Sequence, residues 1–239
     1  VYPDVAVYGL PFIFADVDAV RQARAAIDPV IKAGFEKNGM VAAGITGGGF
    51  IYLMSTRPIA TQAEIRGTKV WVPEGDVIGR IAFEEAGITP VSLALGDVYT
   101  SLQTGLIETV GNTTTGAVAF QWGDQAQVHG RPAGVVHGGH PVPSTRKSLD
   151  KLSVEDRAAV IASVEAAFAR LETLNAADDL ATRETLKNEG IAIVPPQPEA
   201  AQAWRDVGTR TMARMQSEGQ LSAEILSVLK QIGPAGGSR

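Results

Sequence analysis

Between Ile65 and Asn112 the apolar positions change period several times within a short stretch. The run Val70-Trp71-Val72, framed by Gly67 and Pro73, predicts a strand, and Ile78, Ile81, Ala82 and Glu85 predict a helix that stops at Gly87. Val91 and Leu93 mark a second strand. Val98 and Leu102 share one face of the next helix, Gly105 ends it, and Leu106-Ile107 starts a third strand. Strands and helices alternating at this spacing predict a layered α/β domain, which takes its ligand at strand ends and helix starts.

The flanking pattern extends this reading. Leu10 to Phe14 is an apolar segment that packs beneath a loop or lines a cleft. Asp16 and Asp18 open a helix whose face is Val20, Ala23, Ile27, Ile31 and Gly34, since carboxylates favour its exposed amides. Met40 to Ile45 predicts a buried strand, Gly47-Gly48-Gly49 a turn or a crossing between domains, and Phe50 to Met54 another strand. No Gly-Lys-Ser/Thr follows the glycines, which argues against a phosphate loop. Thr61 to Glu64 has capping-box spacing and opens a very short helix. Asp97 reads as the cap of the helix containing Tyr99 and Leu102.

Further on, Gly116 to Asp124 predicts a short helix, with strands at Ala133–Val136 and Val142–Thr145 on either side of Gly138-Gly139. A capping box at Ser153–Asp156 precedes an amphipathic helix through Ile161, Val164, Phe168 and Leu171. A separate helix over Leu180–Asn188 stops at Gly190, Ile191–Val194 forms a strand, and Glu199–Leu229 is helical with an interruption near Gly219.

A chain of 239 residues buries one substantial core or two modest ones. Its 26 acidic and 21 basic residues leave a net charge of -5 with no basic cluster, which excludes a nucleic-acid partner. Without cysteine there is no disulfide, thiolate nucleophile or Cys-ligated metal, and the compartment stays open. No apolar run approaches the roughly eighteen residues of a spanning helix, so the chain is not membrane-spanning. It opens on Val1 without a signal-peptide pattern, as would a cytosolic protein, a mature exported one or a fragment. His129, His137 and His140 lack acidic neighbours at metal-ligand spacing and read as loop histidines, and Ser144 and Ser148 lack a nucleophile elbow. No reaction class and no cofactor emerges.

The segment Asp97-Val98-Tyr99-Thr100-Ser101-Leu102-Gln103-Thr104-Gly105-Leu106-Ile107 resembles the periplasmic solute-binding proteins of TRAP transporters, the DctP-like family. The resemblance also rests on Leu10 to Phe14, Arg57-Pro58-Ile59 and Gly67-Thr68-Lys69-Val70-Trp71-Val72-Pro73. It implies a two-lobe, Venus-flytrap architecture like that of periplasmic binding proteins, with long C-terminal helices. On that reading 1–46 is the remainder of lobe I, 47–134 lobe II, 135–175 a return to lobe I, and 176–239 a C-terminal strand and helices packing across both. The family's first β–α–β portion, roughly eighty residues, is expected to be missing.

Family members mostly hold organic acids with an arginine where this chain has Trp71, and a second basic position falls near Phe50. An indole offers one N–H and an apolar face in place of a bidentate fork. Trp71 is the leading ligand candidate, with core packing beside a strand as its other reading. Asn112 matches the family's ligand-facing asparagine, or forms a turn. Phe50, Trp122, Gln121 and Phe12 are further candidates to line the crevice, with Tyr8 beside Phe12. Glu74 and Asp76 follow a strand and precede a helix; one of them caps it, and Glu74 is retained as a ligand candidate.

The resemblance thus implies a monomeric periplasmic receptor that closes over a small organic solute and delivers it to TRAP transporter membrane subunits. Two other readings stay open: an α/β enzyme using the same cleft, and a ligand-sensing domain that docks on a signalling partner.

Overall fold

The computed structural model describes residues 2–14, 16–59, 61–124, 127–128, 137–188 and 198–232. A 3₁₀ segment, Pro3–Gly9, leads into helix α1, Val17–Lys37. The Asp16 side chain caps α1 by accepting from the Ala19 amide at 2.8 Å. Val20, Ala23, Ile27, Ile31 and Phe35 form its buried face, as the periodicity predicts.

Strand β1, Met40–Phe50, runs straight through the three glycines. The predicted turn at Gly47–Gly49 is therefore corrected: these residues belong to the strand, with a register shift before Phe50 and Gly49 at φ 91°. A residue without a Cβ absorbs that bulge where others would be strained. β1 pairs antiparallel with a strand late in the sequence, whereas β2, Tyr52–Ser55, pairs within another sheet. The chain therefore changes sheets at Ile51.

Helix α2, Gln62–Arg66, starts with both hydrogen bonds of the Thr61–Glu64 capping box. Strand β3 (Trp71–Pro73), helix α3 (Val77–Glu85), strand β4 (Val91–Leu93), helix α4 (Val98–Gln103), strand β5 (Thr109–Asn112) and helix α5 (Thr114–Ala119) follow in the predicted alternation. β3 and β4 are parallel, and a parallel bridge from Val70 to Thr109 ties them to β5. β2 lies antiparallel between β5 and β6, Gln127–Val128. Behind these strands the Thr109 hydroxyl lies 3.0 Å from that of Ser55 and 2.9 Å from that of Thr68, so three buried hydroxyls satisfy one another.

Strand β7, His137–Thr145, pairs with β1, and this corrects the loop reading of His137 and His140: their backbones stand opposite Phe50 and Thr46. The glycines between them extend the strand and do not divide it. After α6, Arg146–Leu149, the predicted pair of helices is one, α7, Val154–Asn188. Its stripe is only half-buried, and Leu171 is exposed, because the packed side drifts to Glu172, Asn175 and Asp179 along the 3.6-residue turn. Gly44 of β1 passes so close beneath α7 that a Cβ there would lie 2.9 Å from the Phe168 ring. Helices α8, Pro198–Ser217, and α9, Ala223–Ile232, break where expected, with Gly219 at φ 70°. Buried Asp4 accepts from the Ser222 amide at 2.6 Å and ties the start of the chain to the start of α9. The expected strands at 133–136 and 191–194, the stop at Gly190 and His129 lie outside the described residues.

Candidate functional site

β3, β4 and β5 run the same way, so Pro73, Leu93 and Asn112 end at one edge, each followed by a turn into a helix. Such an edge is where open α/β sheets place ligands. Two of its three helix starts are capped by side chains: Asp76 accepts from the Gly79 amide at 2.9 Å and Thr113 from the Gly116 amide at 3.0 Å. Asp97 stands at the N-cap position of α4 but makes no side-chain cap bond, which corrects its predicted role. Its φ and ψ of -92° and -9° already lie near the helical region, whereas a capping side chain works from an extended backbone. Glu74 is exposed in the turn after β3, and Asp76, one-third exposed or less, is the cap of the pair.

Trp71 is 3% exposed, and its indole N–H donates to the Leu93 carbonyl at 3.0 Å across the parallel pair. Its ring meets Trp122 edge-on, with centroids 5.6 Å apart and planes at 85°. Trp122 is buried and in turn stacks on Phe120, centroids again 5.6 Å apart. Phe120 is 43% exposed, so a ladder of three rings leads from the β3–β4 pair out to the surface. Leu95, 46% exposed in the turn after β4, is a second uncovered apolar side chain at this edge.

Asn112 sits at the end of β5, half-buried, and its Oδ1 accepts from the Thr113 amide at 2.8 Å. Its Nδ2 has no acceptor among the described residues and is an open donor of this edge. Gln121 is exposed at φ 57°, between Phe120 and Trp122. Of the nearby cations, Lys69 donates to the Gly105 carbonyl at 2.8 Å at the opposite end of β3 and Arg80 pairs with Glu84 at 2.9 Å. Arg183 of α7, by contrast, pairs with Asp179, lies over the ring of Tyr52 opposite Asn112, and keeps a buried Nε with no partner among the described residues. The edge thus offers aromatic surface, a side-chain amide and, beside Tyr52, one guanidinium N–H.

Trp71, Trp122, Gln121 and Asn112 therefore belong to one region, whereas Phe12 does not join them. It stacks on Trp204 of α8, centroids 5.0 Å apart, and lines an apolar cavity of about 160 Å³ with Ile51, Leu53, Ile78 and Phe83. Tyr8 is buried in the core and donates to Asp28 of α1. Phe50 is 3% exposed at the bulged end of β1. Phe120, Leu95 and Trp204 escaped the sequence reading. The position of Leu95 just beyond a strand end was the signal for it, whereas the Phe12–Trp204 stack joins residues too distant in sequence for any local pattern to show. Among the described residues no group of three His, Asp or Glu side chains can hold a metal, and no helix is long and apolar enough to cross a membrane.

The strands, their shared edge and the long helices α7–α9 define a two-lobe α/β fold of the periplasmic-binding-protein kind. Residues 1–218 match the model of the bacterial extracellular solute-binding proteins, family 7 (DctP), and the chain belongs to that family, which comprises solute-binding proteins, not enzymes. Among curated relatives, the C4-dicarboxylate-binding periplasmic protein DctP of Vibrio cholerae is 31% identical over 112 residues, covering 45% of this chain and 32% of that protein. A solute-binding protein of Sulfitobacter sp. (strain NAS-14.1) is 29% identical over 107 residues, covering 44% and 32%. The matched stretch thus spans about a third of the length of these curated relatives. Among solved structures, a TRAP periplasmic solute binding protein of Chromohalobacter salexigens with bound D-glucuronate superposes with a TM-score of 0.85 at 22% identity, covering 98% of this chain and 76% of that one. One from Shewanella oneidensis with bound succinate gives 0.84 at 19%, covering 96% and 75%.

Proposed function

We propose that this chain is the periplasmic solute receptor of a TRAP-type transporter. It binds one small organic solute at the edge formed by β3, β4 and β5 and delivers it to membrane subunits. Membership of the solute-binding family carries this reading, and the shared strand edge supplies the place. The lobes are those read from the sequence, with 1–46 and 135–175 in lobe I and 47–134 in lobe II. The change of sheet at Ile51 supports a crossing between the lobes but moves it there, because residues 47–50 continue β1 and pair with β7 of lobe I. Solute bridging the lobes biases a hinge equilibrium toward the closed form, which is the state the transporter reads.

At this edge the ring ladder ending at Phe120, together with Leu95, takes the carbon skeleton of the solute, and Asn112 Nδ2 donates to a polar oxygen. Trp71 acts from behind: its N–H is committed to Leu93, so it shapes and stiffens the wall. Glu74 and Gln121, both exposed, have supporting roles at the rim, whereas buried Phe50, and Phe12 stacked on Trp204, serve packing elsewhere and not this edge.

Calorimetric titration tests this reading with succinate, D-glucuronate and their uncharged analogues, then with amino acids, polyols, aromatic compounds and cationic osmolytes. One saturable site per chain is expected. Asn112→Ala should weaken it by about 1 kcal/mol, a factor of five or so, while the variant still unfolds in one cooperative transition, lowered only by the loss of the bond from the Thr113 amide. Tight binding that neither Asn112→Ala nor Phe120→Ala alters would remove the site from this edge.

A further inference from the structure

A second cavity of about 560 Å³, well within the range of small-molecule sites, lies between the Pro11-Phe12-Ile13 loop, α8 and α9. Pro11 and Phe12 line both this cavity and the smaller one beside Trp204. Gly208 of α8 lets the loop press in, since a Cβ there would fall 2.4 Å from the Pro11 carbonyl oxygen. Phe12 holds φ 63° and is fixed by its stack on Trp204. Its apolar lining comes from three elements: Phe12 and Ile13 from the loop, Met212 from α8, Leu226 and Leu229 from α9.

The charges at its mouth are distributed unlike those elsewhere on the same helices. Arg210 and Arg214 of α8 are paired with Glu85, Glu84 and Glu218, and Glu224 of α9 is paired with Lys37. Arg205 and Lys230, which line the cavity from α8 and α9, have no carboxylate within ion-pair distance among the described residues. Arg205 is aimed by the neutral Gln202, whose Oε1 accepts from its Nε at 3.1 Å and its Nη2 at 2.8 Å, leaving Nη1 open. The acid on the lining, Asp206, accepts from Gln202 Nε2 at 2.9 Å. Two cations therefore face one carboxylate at the mouth of an apolar chamber.

We infer that this cavity is a second ligand site, separate from the strand edge, which takes a small anionic amphiphile: a monocarboxylate with an aliphatic chain. The chain lies against Phe12, Ile13, Met212 and Leu229, and the carboxylate meets Arg205 Nη1 and the Lys230 ammonium. An apolar chain gains from leaving water there, and a carboxylate completes the missing ion pairs. The inference does not depend on which solute occupies the strand edge.

Titration calorimetry with octanoate, octanol and octylamine decides it. Octanoate should bind one per chain, more tightly than octanol, with octylamine not binding. The Arg205→Glu/Lys230→Glu double variant should weaken octanoate at least about tenfold while retaining its circular dichroism spectrum. Met212→Trp, which fills the chamber and leaves both cations in place, should abolish it, whereas Phe120→Ala at the strand edge should leave it unchanged. Octanoate affinity indifferent to the charge reversal, octylamine binding as well as octanoate, loss of binding in Phe120→Ala, or no saturable binding would each overturn the assignment.

Discussion

Two buried clusters in this chain handle polar groups in opposite ways. Around Trp71 the interior is aromatic, with one indole N–H satisfied by one carbonyl and a ring ladder that reaches the surface at Phe120. Around Arg24 the interior is charged. The guanidinium donates to Asp28 at 3.1 Å, to Glu172 at 2.8 Å and to the Ile45 carbonyl, and Tyr8 donates to the other oxygen of Asp28. The first cluster leaves the Asn112 Nδ2 without an acceptor at its margin. The second commits its groups to fastening α1, β1 and α7 to one another. Arg24 is thus used as an internal rivet, whereas Arg183, over the Tyr52 ring opposite Asn112, keeps a buried Nε without a partner among the described residues beside the strand edge. A solute there can be met by aromatic surface, by the Asn112 amide N–H and by the Arg183 guanidinium.

The largest expected effect comes from breaking the aromatic side of this comparison. Trp71→Ala removes a fully packed indole, its bond to Leu93 and its edge-on contact with Trp122, and should cost about 4 kcal/mol of unfolding free energy in urea. A loss below about 1 kcal/mol with sharply weakened solute binding would mean that Trp71 acts as a ligand contact more than as part of the wall.

On the charged side, Arg24→Met keeps the length of the stem while removing the guanidinium. It leaves Asp28 and Glu172 facing each other without a cation, and should cost about 3 kcal/mol, because removing one partner strands the others. Arg24 and Glu172 are only 14% and 29% exposed at their side chains, so added salt should recover little of that loss. Solute affinity at the strand edge should stay unchanged, which separates the rivet from the site. An equal fall in both would couple the two clusters.

How far each cluster was legible follows from its range along the chain. The alternation from Ile65 to Asn112 was readable because every element there is short, local and bounded by Gly67, Pro73, Gly87 and Gly105. Asp16 and Thr61 were readable as caps because capping is a matter of neighbours. The three glycines were misread, because their partner strand, β7, lies some ninety positions away and no local rule encodes that pairing. The single span of α7 was missed because its packed side passes from apolar residues to Glu172, Asn175 and Asp179, which hydrogen-bond to distant elements and do not continue a hydrophobic stripe. Likewise, a tryptophan beside a strand announces burial or a binding face equally well, and only the bond to Leu93 and the contact with Trp122 distinguish its side chain's uses.

Tyr8 tests the charged cluster more finely. Burial, reinforced by the negative charge of Asp28, pushes its hydroxyl well above the usual phenol range, and burial with Asp4 pushes Tyr2 up to about 12. An unfolded tyrosine ionises near pH 10, so below that value both states keep the proton and the full contribution of Tyr8 is present. Above it the unfolded chain releases a proton that the folded chain retains, and stability must fall by up to about 1.4 kcal/mol per pH unit for each such group. Tyr8→Phe should cost about 1 kcal/mol at neutral pH, because Asp28 Oδ1 loses its donor while Oδ2 keeps Arg24. It should also make the decline between pH 10 and 11 shallower by one such increment, with Tyr2 still contributing to the remainder. Urea midpoints at pH 8, 10 and 11 for both proteins check this. Parallel curves would mean that Tyr8 ionises as readily folded as unfolded, and would exclude the sealed hydrogen bond to Asp28 that joins the first turn of the chain to α1.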